Sequence, residues 1–178
     1  MIAIAALTLA PGADSRVRTR TFTTGDITQA FGATTPPGNF TVGYITVPHS
    51  KQGRIKDIDV AVRLDHPVDS EVRLVLEHPT VVNGVTLSQS NGGDGANYGS
   101  GATKCGGVPT VFDDEATTPI AAGVAPFASA FQPQTPLSTF DGEKTKGKWA
   151  LSAIDENYFN TSTGVLYCFA LTITYKPL

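Results

Sequence analysis

Apolar and polar positions alternate along this chain with a period of two, in stretches separated by turn-forming residues. The clearest run places Ile58, Val60, Val62 and Leu64 on one face and Asp57, Asp59, Ala61, Arg63 and Asp65 on the other. After His66-Pro67-Val68-Asp69-Ser70 the alternation resumes, with Val72, Leu74 and Leu76 set against Glu71, Arg73 and Glu77. One apolar face and one charged face predict antiparallel strands packed on a single side. A third run follows Gly147, with Trp149, Leu151 and Ala153 on one face and Lys148, Ala150 and Ser152 on the other. Residues 165–175 form the longest run: Phe169, Leu171 and Ile173 share one face, and Cys168, Ala170, Thr172 and Thr174 share the opposite one.

Weaker signals complete the strand set. Phe40, Val42 and Tyr44 mark the apolar face of a strand that Pro48 ends, and Phe22 and Ile27 seed one short edge strand. Pro79 breaks the Val72 run, and residues 81–87 offer a further strand around Asn83-Gly84, a strong two-residue hairpin signal. Residues 88–107 are almost entirely Gly, Asn, Ser and Asp, which predicts one long loop. No ten-residue stretch carries a 3.6 period. Short strands with turn signals every ten or so residues predict an all-β fold of two antiparallel sheets, a sandwich or jelly roll.

The chain has 178 residues, enough for one domain with a real core. Residues 1–20 read as an N-terminal extension or a signal-like remnant, and 21–178 as a single β-sandwich. The segment I-A-I-A-A-L-T-L-A-P-G-A resembles the apolar core and small-residue end of a secretory signal but lacks a basic flank, so an ordinary strand stays open. No apolar run reaches the roughly 20 residues of a membrane span. A net charge of −3 and scattered basic residues argue against a nucleic-acid partner. Two cysteines without a C-x-x-C spacing make zinc improbable, since a structural site wants about four Cys/His ligands at close spacing. They leave two readings, a pair of free thiols or a Cys105–Cys168 disulfide that would pin the long loop to the outside of the sheet.

The three histidines, His49, His66 and His78, each adjoin a proline, and no nucleophile motif accompanies them. His66, near Asp69, reads as a strand-end histidine bonded locally. Calcium suits the sequence better, because a hard cation wants several carboxylate and carbonyl oxygens. Asp113, Asp114 and Glu115 supply three carboxylates in succession at the border of the polar loop. A solvated acidic turn is the alternative. Tyr98, Tyr158 and Phe159 fall in loops, where aromatics can stack on sugars or simply pack.

A longer ordered series carries a family resemblance. It runs Ile55-Lys56-Asp57-Ile58-Asp59-Val60, His66, Val72-x-Leu74-x-Leu76-x-x-Pro79 and Phe112-Asp113-Asp114-Glu115-Ala116. It continues with Pro126-Phe127, Phe131-x-Pro133, Pro136-Leu137-Ser138-x-Phe140-x-Gly142, Gly147-x-Trp149-x-Leu151-x-x-x-Asp155, Gly164-x-Leu166 and Leu171-x-Ile173. This series resembles the P domain (homo B domain) of kexin- and furin-like proprotein convertases and its bacterial secreted counterparts. The resemblance implies a jelly-roll sandwich of galactose-binding-like type, secretion and no catalysis of its own. It also implies packing on a subtilisin-like catalytic domain, in cis or trans, with support of that domain's folding and frequent calcium binding. Glu71 and Asp155 join Asp113, Asp114 and Glu115 as the calcium candidates on this reading. Glu71 stands where the family usually has aspartate, Phe169 where it has tryptophan, and the turn after Pro79 is longer. The competing expectation is a module of the same fold that binds glycans or a cell-surface protein.

Overall fold

The computed structural model describes residues 16–32, 39–159 and 161–178. Among them, ten strands form two sheets. The strands are β1 (Arg18–Thr23), β2 (Gln29–Phe31), β3 (Phe40–Val47), β4 (Gly53–Asp65), β5 (Val72–His78), β6 (Val81–Gln89), β7 (Thr110–Phe112), β8 (Ala130–Phe131), β9 (Gly147–Asp155) and β10 (Gly164–Pro177). One sheet runs β1-β10-β4-β7-β8, with β2 also on β10; the other runs β3-β9-β5-β6. Every pairing is antiparallel except β7 with β8. The result is the all-β sandwich that the alternation predicts, and the chain changes sheet at most of its connections.

The core lies where the two inward faces meet. Ile58, Val60, Val62 and Leu64 of β4 and Leu171 and Ile173 of β10 oppose Leu74 and Leu76 of β5 and Trp149 and Leu151 of β9, all buried. Trp149 is held at both ends. Its indole N–H donates to the Thr145 carbonyl at 3.0 Å, and its rings pack on Phe140 and His78. Gly147 has φ 145°, and a Cβ there would lie 2.7 Å from the His78 ring, so the entry to β9 needs glycine.

Three local expectations change. In β3 the buried face is Thr41, Gly43, Ile45 and Val47, while Phe40 and Tyr44 are exposed. Period was right and face was wrong, because Gly43 lies under β10, where its Cβ would come 3.2 Å from Leu166 and 3.6 Å from Phe169. The β5–β6 hairpin turns at Pro79–Thr80, and Asn83-Gly84 lies inside β6 as a bulge with φ 70° and 64°. Phe22 lies in β1, while Ile27 precedes a separate strand, β2.

Cys105 and Cys168 are bonded, which ties the 88–107 loop to the outward side of β10. The backbone N–H of Cys105 also donates to Asp26, 2.8 Å away. The loop is fastened along its length as well. Tyr98 pairs with Leu64 by two backbone bonds, Ser70 N–H donates to the Gly93 carbonyl, and the Tyr98 hydroxyl meets Ser88 at 2.9 Å.

Trp149→Ala removes the largest fully buried side chain, so it lowers the unfolding free energy by about 3–5 kcal/mol, and Trp149→Phe lowers it less. Urea unfolding at constant m-value checks this; a loss below about 1 kcal/mol for the alanine variant would remove Trp149 from the centre of the core.

Candidate functional site

Three strand ends converge at one end of the sandwich. β4 finishes at Asp65 and hands over to His66; a 3-10 turn, Asp69–Glu71, leads into β5; and β9 finishes at Asp155. The register pairs Val72 with Asp155, and Glu156 N–H donates to the Glu71 carbonyl at 2.7 Å. This pairing brings His66, Glu71 and Asp155 together, each with a donor atom within 4.8 Å of the others. The side chains of His66 and Asp155 are fully buried.

Each member is oriented by a neighbour. His66 Nδ1 lies 2.8 Å from the Val68 carbonyl oxygen and 3.2 Å from the Val68 nitrogen, and its ring stacks on Phe31. Asn157 serves both acids: its backbone N–H donates to Asp155 Oδ1 at 2.9 Å, and its side-chain amide donates to Glu71 Oε1 at 2.7 Å. His66 Nε2 and Asp155 Oδ2 face each other at 3.6 Å, and neither makes a hydrogen bond.

Asp69 opens the same turn and is also fully buried, with both carboxylate oxygens outside any protein hydrogen bond. Burial pushes its carboxyl up to about 7; the Asn97 backbone N–H opposes this and Asp65 adds to it. Its own N–H donates to the Gly95 carbonyl at 2.7 Å. Gly92, at φ 87°, passes so close that a Cβ would lie 2.8 Å from the Asp69 Cβ.

The five carboxylates expected as calcium ligands therefore divide between two places. Glu71 and Asp155 meet His66 at the strand ends. Asp113, Asp114 and Glu115 follow β7 and lie beside the outward-facing Asp57 and Asp59 of β4. Asp114 accepts from the backbone N–H groups of Leu137 and Ser138, both at 2.8 Å, and so fixes the turn that leads toward β9. Asp113 accepts from the Glu115 N–H at 2.7 Å. Three carboxyls on this face, Asp59, Glu115 and Asp141, have raised proton affinity. Asp59 is pushed up to about 6, first by burial and then by Asp57, Asp113, Glu115 and Asp114. Glu115 is raised first by its side-chain hydrogen bond with Asp113, and Asp141 first by burial and then by Asp57 and Asp114.

The remaining sequence candidates separate cleanly. His78 packs on Trp149, contacts the Thr80 hydroxyl at 2.8 Å and the Lys146 carbonyl at 3.2 Å, and burial holds its imidazole below the ordinary 6.5. Tyr98 belongs to the core, stacked on Phe127, so it presents no face to a sugar. Tyr158 and Phe159 are exposed just beyond the His66 cluster. In the sequence Asp69 stood out only as a neighbour of His66, and Asn157 not at all; each joins the site through loop and strand contacts.

No family model matches the chain, and no curated protein matches it. A solved structure shares its fold: a chain in the crystal structure of the Aeromonas sobria serine protease in complex with the chaperone. The TM-score is 0.56 at 14% identity, over 92% of this chain and 28% of that one. This chain thus spans little more than a quarter of its structural neighbour.

The acidic face gives a pH dependence with a definite sign. Asp59 has an ordinary value of 3.8 and a folded value of about 6, so between these the folded chain keeps a proton that the unfolded chain has released. Stability therefore falls as pH rises through that window. Asp59→Asn is expected to raise the melting temperature at pH 7, by the equivalent of roughly 1 kcal/mol once solvent screening at this half-exposed group is discounted. The gain vanishes below about pH 4. Thermal melts of both proteins from pH 3.5 to 7.5 test it, and a gain independent of pH would contradict the stated cause.

Proposed function

We propose that this chain is a non-catalytic accessory domain of P-domain type in a secreted serine protease, acting by packing against the catalytic domain and supporting its folding. The observation that carries this reading is the sandwich fold itself, shared over 92% of the chain with part of a much longer chain from a protease–chaperone crystal structure. The ordered motif series from Ile55 to Ile173 points the same way. The Cys105–Cys168 bridge suits an oxidising, extracellular setting.

The surface best suited to interdomain packing is the outward face of the β3-β9-β5-β6 sheet. Phe40 and Tyr44 are exposed on its edge strand, and the Lys148 ammonium lies 3.6 Å from the centre of the Tyr44 ring. Beside them Glu77, Val81, Asn83 and Ala150 border a shallow recess of about 280 Å³. Exposed aromatics such as Phe40 and Tyr44 are enriched at interfaces, and the Lys148–Tyr44 cation–π pair belongs to a polar rim.

Expression of the full-length protein with and without residues 16–178 tests the proposal. The reading expects a subtilisin-class catalytic domain in the same protein or the same secretion unit, and loss of soluble, active protease when this domain is deleted. A free-standing chain that retains a glycan on an array, or that hydrolyses peptides by itself, would overturn it. At finer grain, Phe40→Ser with Tyr44→Ser is expected to leave the isolated domain within about 0.5 kcal/mol of its original stability, because both side chains are exposed. The same pair is expected to weaken association with the catalytic domain at least tenfold. Isothermal titration calorimetry reads the second effect and urea unfolding the first.

A further inference from the structure

We propose that His66, Glu71 and Asp155 form a binding site for a divalent transition-metal ion of the zinc class, built where β4, β5 and β9 end. The argument begins with the histidine. Nδ1 meets the Val68 carbonyl oxygen at 2.8 Å and the Val68 N–H at 3.2 Å; the shorter contact favours the tautomer with the proton on Nδ1 and the lone pair on Nε2. That lone pair points at Asp155 Oδ2, another acceptor, 3.6 Å away. Both atoms lie on fully buried side chains and neither has a hydrogen-bond partner. In that tautomer, two facing acceptors on buried side chains repel unless something positive lies between them.

A shared proton fits the geometry poorly, since a charge-assisted N–H···O bond closes to roughly 2.7–2.9 Å. A shared metal ion fits it well. Bonds of about 2.0–2.1 Å to nitrogen and oxygen at a tetrahedral angle place the two donors about 3.4 Å apart. Glu71, half-buried, supplies the third donor within 4.8 Å. The surrounding groups have the form that metal sites use to aim their ligands. Val68 holds the histidine ring through Nδ1, and Asn157 holds one oxygen of each carboxylate so that the acids converge.

The donor set also selects the ion. Calcium takes six to eight oxygens, whereas one imidazole nitrogen with two carboxylates suits zinc and its neighbours. The calcium that the family resemblance implies does not fit here. Nor does the Asp113–Asp114–Glu115 run offer it a ready cage, because both Asp114 oxygens and Asp113 Oδ1 already accept backbone N–H groups.

The test uses the whole chain, stripped with a chelator and dialysed, then titrated with zinc chloride and, in parallel, with calcium chloride. Expected are one zinc ion per chain by calorimetry, a rise in melting temperature with zinc and none with calcium, and a cobalt(II) derivative whose visible bands report a nitrogen–oxygen donor set. His66→Gln and Asp155→Asn alter fully buried groups and can fail to fold, so Glu71→Gln is the deciding variant. It is expected to melt like the metal-free parent and to bind zinc at least tenfold more weakly. No zinc binding by the folded parent, an equal response to calcium, or zinc binding unchanged in Glu71→Gln would overturn the proposal.

Discussion

The inward faces of the two sheets have only each other to bury against, and that constraint shapes everything else in the molecule. β4 and β10 pair from Val165 with Asp65 to Pro177 with Gly53, making one long central ribbon. β9 pairs with β3 on one side and β5 on the other to make the second. Each inner position must be filled to near-crystalline density, so large side chains such as Trp149, Phe169 and Leu171 alternate with small ones such as Gly43 and Ala153. Polar groups are driven outward or to the ends. The outward side of β4 carries Asp57 and Asp59 into an acidic face, where burial and the neighbouring carboxylates raise the proton affinity of Asp59.

The ends of such a sandwich are where ionisable groups become buried without being inside a sheet. At one end the pairing of Val72 with Asp155 draws a carboxylate beneath the 3-10 turn of Asp69–Glu71, and the 88–107 loop closes over it. A buried carboxylate is expensive unless an opposite charge or several donors accompany it. Asn157 satisfies one oxygen of Asp155, and the other faces His66. Asp69, in the same turn, is pushed up to about 7 by burial. A cation bound between His66, Glu71 and Asp155 would turn this end into a clamp on three strands.

The strands were legible in the sequence wherever alternation was strict and the apolar set belonged to the core. Val60, Leu74, Leu151 and Leu171 announce their faces without help. β3 misled because Phe40 and Tyr44, its most apolar residues, serve the outer face, while Gly43 was needed inward to let Leu166 and Phe169 pass. Asn83-Gly84 misled because its turn conformation was used for a bulge after Pro79–Thr80 had already reversed the chain. Carboxylates adjacent in sequence drew attention to Asp113, Asp114 and Glu115, whereas the assembly at the strand ends depends on register. His66 and Glu71 are close along the chain, but Asp155 lies far beyond them, and it is the β5–β9 pairing that brings it to them. Asp155 was singled out by its motif position, but Asn157, which aims it, was not.

Anomalous X-ray diffraction from crystals of the chain grown with zinc, collected on both sides of the zinc absorption edge, tests the central claim most directly. The account predicts a single strong anomalous peak between His66 Nε2 and Asp155 Oδ2, with Glu71 turned toward it. A map without density there, in which Nε2 and Oδ2 have closed to an ordinary hydrogen bond, would contradict it and leave a buried charge pair in place of the metal.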